Sequence, residues 1–159
     1  MNTKLSEVRA AGESRSDRTN RNLYIFSSLV HGAWSAGVEQ LCREEDLTEA
    51  HYRVLWVLCL SGRNDGMAMG EIADGLVNRA SDLTRLVDKM ERQSLVRRRA
   101  DPDDRRRMIV NVTASGRKVF DRLTPRIKEL HVSQMAGLTE REKTDLVALL
   151  NKALWSGAE

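Results

Sequence analysis

The chain has 159 residues and a net charge of +3, with 41% hydrophobic, 31% charged and 4% aromatic residues. That length fits one domain with a sizeable core, the hydrophobic share excludes a disordered chain, and the scarcity of aromatics argues against an all-β sandwich, so a mainly helical fold is expected. The longest apolar runs, such as VLWVLCL at 54–60, fall far short of the roughly 18 residues that span a bilayer, and the polar start is unlike a signal peptide; a cytoplasmic protein without a membrane partner is expected.

Residues 1–17 are polar and aperiodic, an arm ahead of a single domain expected over 18–159. From Arg18 to about Arg43, Leu23, Phe26, Val30, Trp34, Val38 and Leu41 recur every three or four positions, which predicts one long helix with an apolar stripe. In LTEAHYRVLWVLCLSG, Thr48 is placed to cap a second helix, Leu47 to staple it and Gly62 to stop it. RNDG at 63–66 reads as a turn and MGEIADGL at 69–76 as a helix of two turns.

After a break at Val77 and Asn78, Ser81 and Asp82 suit the start of a further helix, with Leu83, Leu86, Val87 and Met90 inward and an end near Gln93. Met108, Val110 and Val112 alternate with Ile109, Asn111 and Thr113, the period of a strand, and Leu95–Arg99 is its natural partner. ADPDDR between them has the proline and aspartates of a protruding turn. Thr113 can cap the next helix, whose stripe Val119, Phe120, Leu123, Ile127 and Leu130 passes through Pro125, so a kink or two abutting helices are expected, with Thr124 capping the second. Thr139–Glu142 matches a capping box before the stripe Leu146, Leu149, Leu150 and Leu154.

Charge is segregated along the chain. Residues 79–117 hold eleven basic and six acidic residues, while the remainder is slightly acidic, the footprint of a protein that meets a polyanion with one surface. Short helix, turn, helix and hairpin together make a helix-turn-helix with a wing. In that geometry the second helix enters the major groove at its N-terminal end, where Arg79, Ser81, Asp82, Thr84 and Arg85 are the available polar residues. Which of them read bases and which contact phosphates is open at this point. Of Arg97, Arg98 and Arg99, not all can point one way, because successive strand residues alternate faces.

The stretch TRLVDKMERQSLVRRRADPDDRRRMIVNVTASG, Thr84–Gly116, resembles the recognition helix, wing and following helix start of the MarR family of bacterial transcriptional regulators. The wing pattern Asp-x-Arg followed by a hydrophobic strand is met by Asp104, Arg106 and Thr113; Val112 stands where leucine is usual, and Gln93-Ser94-Leu95 where a Gly-Leu ending is commoner. The resemblance implies a winged helix-turn-helix over 47–113, flanked by dimerisation helices over 18–46 and 114–159. It implies Arg106 as the wing-tip arginine in the minor groove, Asp104 as the carboxylate orienting it, and Arg105 and Arg107 as flanking contacts.

The resemblance further implies a homodimer on a pseudo-palindromic operator in double-stranded DNA, acting as a repressor. It also implies a small aromatic or phenolic effector, for which His31, Trp34, His51, Tyr52 and Trp56 are candidates. Cys42 and Cys59 lack zinc or redox spacing and read as buried packing residues, although a thiol-based redox regulator is one alternative and a nonspecific architectural DNA protein another. His31, His51 and His131 lie in no HExxH context, and no CxxC, GxSxG or phosphate loop occurs, so no catalysis, metal or cofactor is expected.

Overall fold

The computed structural model describes residues 14–63, 65–76, 82–102, 104 and 107–155. The described elements are α1 (Arg15–Arg43), α2 (Glu49–Leu60), β1 (Met67–Ala68), α3 (Met69–Gly75), α4 (Leu83–Arg92), β2 (Val96–Ala100), β3 (Met108–Val112), α5 (Ala114–Gln134) and α6 (Glu140–Trp155). Two compact units divide them, one up to Gly37 and one from Val38 onward.

The first unit is the N-terminal part of α1. Ser14 and Asp17 cap it reciprocally: the Ser14 hydroxyl donates to Asp17 Oδ2 at 2.7 Å, and the Asp17 amide donates to Ser14 Oγ at 3.1 Å. The helix therefore starts at Arg15, three residues ahead of the start read from the apolar stripe, because capping groups fix a helix end and apolar spacing does not. Leu23, Phe26 and Val30, on that stripe, are all exposed.

In the second unit the core gathers around α2. Val54, Leu55, Ile72, Val87, Met90, Val110 and Leu123 are at 0% exposure and belong to one cluster contributed by α2, α3, α4, β3 and α5. Burying a side chain of this size contributes about 1.5–3 kcal/mol. α2 begins with a reciprocal cap, in which the Thr48 amide donates to His51 Nδ1 at 3.1 Å. Its N-terminus is also tied to α1, the Glu49 amide donating to Glu39 Oε2 at 2.7 Å.

The sheet has the strand order β1-β3-β2, all antiparallel, with Val96 opposite Val112, Arg98 opposite Val110 and Met67 opposite Val110 on the other side. β1 is too short to show a period in the sequence, and pairing with β3 is what makes it a strand. Gly66 precedes it at φ +86°, and a Cβ there would stand 2.6 Å from both Asn111 Nδ2 and the Val110 carbonyl, so only glycine lets the turn close on β3.

α5 is one helix across Pro125 and not two. Thr124 does not cap a second segment: its hydroxyl donates back one turn to the Phe120 carbonyl at 2.7 Å and lies 3.2 Å from the Tyr52 hydroxyl. Thr113 caps α5 as expected, accepting from the Gly116 amide at 3.0 Å. The Thr139–Glu142 capping box opens α6, with the Thr139 amide on Glu142 Oε2 at 2.8 Å. α6 buries no residue at all, although Leu149, Leu150 and Leu154 run along it.

Candidate nucleic-acid interface and effector cavity

α3 and α4 are the two helices of a helix-turn-helix, and the inward spacing Leu83, Val87 and Met90 seats α4 on the core. Its first turn is left on the surface: Asp82, Thr84 and Arg85 are exposed, and Arg85 Nε lies 3.4 Å from Asp82 Oδ1. Arg79 and Ser81, expected beside them, lie outside the described residues.

The end of α4 is fixed by its own backbone. The Ser94 amide donates to the Glu91 carbonyl and the Leu95 amide to the Met90 carbonyl, both at 2.9 Å, the paired bonds of a Schellman ending. Ser94 sits at φ +57°, the left-handed conformation that a glycine adopts at least cost. The departure from a Gly-Leu ending noted in the sequence thus leaves the stop in place and puts a serine under strain.

β2 and β3 form the wing. Strand alternation sends Arg97 and Arg99 outward, and Arg99 donates to the Asp65 carbonyl at 2.8 Å. Arg98 faces the other way, onto α4. At the tip the Arg107 amide donates to the Asp104 carbonyl at 2.8 Å, the Asp101 amide donates to the Arg107 carbonyl at 3.0 Å, and Asp101 Oδ2 lies 4.0 Å from Arg107 Nε. Asp104 and Arg107 are exposed, while Arg105 and Arg106 lie outside the described residues.

A second feature lies between α2 and α5. A cavity of about 450 Å³ has Tyr52 and Trp56 on one wall, Ile127, Val132 and Met135 on another, and Lys128, His131 and Lys143 adding cationic or titratable groups. Tyr52 also stacks on Phe120, with ring centroids 5.9 Å apart. Of the five residues considered for an effector, Tyr52 and Trp56 line this cavity. His51 is turned to the cap of α2 instead, and burial, with Lys89 nearby, holds its imidazole below the ordinary value. His31 and Trp34 belong to the first unit. Lys128, Val132 and Lys143 were not singled out from sequence; Lys128 stands one residue after the inward Ile127, the only signal that could have placed it near a wall.

Cys42 and Cys59 are free and buried. Burial first, and then Glu39 and Glu49, push the Cys42 thiol up to about 12, and burial likewise raises Cys59. Neither has the thiolate character that a redox sensor requires. Among the described residues there is no cluster of potential metal ligands, and no helix is long and apolar enough to cross a membrane.

A helix-turn-helix followed by a two-stranded wing, on a mainly helical frame, defines a winged-helix protein. The MarR family sequence profile matches residues 45–107, from the turn before α2 to the wing. A solved MarR-family regulator from Silicibacter pomeroyi is 30% identical, with a TM-score of 0.66 covering 82% of this chain and 86% of that one. The HTH-type transcriptional repressor IacR of Pseudomonas putida is 29% identical over 131 residues, 82% of this chain and 74% of that protein. The transcriptional activatory protein BadR of Rhodopseudomonas palustris is 29% identical over 148 residues, 91% and 82% of the two chains. The chain belongs to the MarR family of DNA-binding transcriptional regulators.

Proposed function

We propose that the protein is a homodimeric repressor that binds a pseudo-palindromic operator and releases it when a small aromatic or phenolic molecule occupies the α2–α5 cavity. The observation that carries the DNA reading is the pairing of an uncovered α4 first turn with an arginine-rich wing, while the hydrophobic side of α4 is sealed in the core. Arg79, Ser81, Thr84 and Arg85 meet the major groove in this reading, with Asp82 holding Arg85. Arg106 enters the adjacent minor groove, oriented by Asp104 and flanked by Arg105 and Arg107.

Dimerisation is supported by α6, whose leucines have no cover among the described residues; leaving such a stripe in water is unfavourable, and a two-fold partner covers it. The two-fold then spaces the half-sites about one helical turn, roughly 34 Å, apart. An effector is supported by the cavity's size, which lies within the roughly 300–1,000 Å³ of small-molecule sites, and by its aromatic walls. Repression follows the Pseudomonas putida relative; the relative named as activatory makes the sign of control the point to measure.

Selection of bound duplexes from random DNA at fixed salt tests the reading. A regulator enriches a palindromic site that it binds about 10³-fold or more above random DNA, whereas uniform binding of all sequences would establish an architectural protein. Arg106→Ala should then weaken binding to the selected duplex without lowering the melting temperature. A reporter driven through that site should rise when the protein is removed and when simple aromatic acids or phenols are added.

A further inference from the structure

Arg98 is the one wing arginine of the 97–99 run that turns inward, and its surroundings are specific. Its Nη1 pairs with Asp88 Oδ1 and lies 3.5 Å from Glu91 Oε2, and its Nη2 donates to the Thr84 carbonyl at 3.2 Å. Its backbone amide donates to Glu91 Oε1 at 2.9 Å. Thr84, Asp88 and Glu91 are spaced four and three residues apart, so they form one face of α4 over two turns. A single side chain from the wing therefore grips α4 from its first turn to its last.

This grip changes what Arg98 contributes electrostatically. With two carboxylates at its guanidinium its charge is cancelled, and with its side chain only 20% exposed it has little reach toward a phosphate backbone. What it supplies is geometry. The planar guanidinium forms several hydrogen bonds in fixed directions, so it sets both the tilt and the height of α4 relative to β2, which a lysine's single ammonium cannot do. The Thr84 carbonyl that it holds belongs to the turn of α4 that is exposed beside the wing.

We infer that Arg98 is a positioning residue for DNA recognition: through Asp88, Glu91 and the Thr84 carbonyl it locks the recognition helix and the wing into one rigid two-pronged reader, without contacting DNA itself. This rests on the proposed reading in which α4 and the wing tip occupy neighbouring grooves. Two prongs entering two grooves at once must keep a fixed separation, and Arg98 with its two carboxylates is the link that spans them.

The test measures affinity of the full-length protein for the duplex selected from random DNA and for a random-sequence duplex of equal length, over a series of salt concentrations, for Arg98→Ala, Arg98→Lys, Asp88→Asn and Arg106→Ala. Asp88→Asn is the decisive variant, being nearly isosteric. If charge alone mattered, removing a carboxylate from the DNA-facing region would tighten binding; positioning requires that binding to the selected duplex weaken about tenfold, the scale of one lost bidentate base contact. Arg98→Ala should do the same, Arg98→Lys should not rescue it, and a double variant combining Arg98→Ala with Asp88→Asn should lose no more than either single one.

Through all of this the salt dependence should keep its slope, and affinity for the random duplex should hardly move. A slope reduced by about one in Arg98→Ala would make Arg98 a phosphate contact and overturn the inference, as would unchanged or tighter binding by Asp88→Asn. Melting temperatures measured alongside identify any loss caused by unfolding, and Asp88→Asn remains interpretable if Arg98→Ala does not fold. If Arg106→Ala weakens binding while the Arg98 and Asp88 variants do not, the wing reading survives and the positioning role is refuted. If none of the four changes binding, the wing reading falls and the positioning role with it.

Discussion

Gly116→Ala is the substitution for which local and tertiary physics give opposite signs. Gly116 lies in the first turn of α5, where alanine is favoured over glycine by up to about 1 kcal/mol, so helix propensity alone predicts stabilisation. The structure predicts the reverse. A Cβ at Gly116 would be built onto the Leu95 carbonyl oxygen and would stand 3.0 Å from Val112 Cγ2. Neither neighbour is the free end of a flexible side chain: one is backbone at the start of β2, and the other is held in the β2–β3 register opposite Val96.

Relief requires the first turn of α5 to back away from the wing. The Leu95 carbonyl there accepts from the Thr113 amide at 3.0 Å, and the Thr113 hydroxyl, which caps α5, donates to the Ser94 carbonyl at 2.7 Å. Losing these two bonds at about 1 kcal/mol each, together with about 1–3 kcal/mol for a carbonyl left unsatisfied, outweighs the propensity gain, for a net loss of about 2–4 kcal/mol. In a chain of this size that lowers the melting temperature by roughly 5–15 °C. Urea denaturation at fixed protein concentration, with Gly70→Ala as the control, is the assay. Gly70 has nothing near its missing Cβ and should gain up to about 0.5 kcal/mol. A Gly116→Ala protein as stable as the parent or more so would refute the tight seat between α5 and the wing.

Three further expectations concern other parts of the chain. Ser94→Gly should raise stability by about 0.5–1 kcal/mol by relieving a left-handed residue, and a lower urea midpoint would refute the strain. Because burial depresses the His51 imidazole, the unfolded chain binds its proton more readily; stability is fully present above the ordinary value of 6.5 and declines as pH falls below it. His51→Gln keeps a side-chain acceptor for the Thr48 amide, so it should flatten the stability profile between pH 7.5 and 5.5, and an unaltered slope would clear His51 of the effect. Leu150→Glu should convert the proposed dimer to monomers by light scattering, whereas a dimeric variant would place the seam away from α6.

The sequence made the helices and the wing legible because each carries a long signal. α2, α4 and α5 repeat their apolar residues every three or four positions over two turns or more, and β3 reads as a strand, although the alternation expected along it fails because Met108 is exposed while Ile109, Val110 and Asn111 are buried in succession. β1 escaped notice because two residues hold no period. The early start of α1 escaped because Ser14 and Asp17 are polar and register only as a cap. Pro125 misled in part: a proline removes one backbone bond without having to end the helix, and α5 continues through it from Ala114 to Gln134.

At the candidate site the surface position of Asp82, Thr84 and Arg85 follows from the inward spacing of Leu83, Val87 and Met90, and so was readable. Alternation also foretold that the arginine run would split. That Arg98 would be the inward member, facing Asp88 and Glu91, depends on strand register against a helix ten residues upstream, which no local pattern encodes. The cavity was half readable: Tyr52 and Trp56 could be suspected as aromatics on α2, but Lys128, Val132 and Lys143 come together only once α5 and the start of α6 are folded beside them.

α5 has one end seated against the wing at Gly116 and its middle lining the cavity at Thr124, Ile127 and Lys128. From Gly116 to Lys128 is about 18 Å of continuous helix, three and a third turns running through Pro125. A bearing with clearance would let a push at the cavity dissipate as play; this one has less room than a methyl group. In the proposed reading, a tilt given to α5 by an occupant of the cavity would therefore be handed to the wing as displacement, and the smallest side chain in the helix is what removes the backlash.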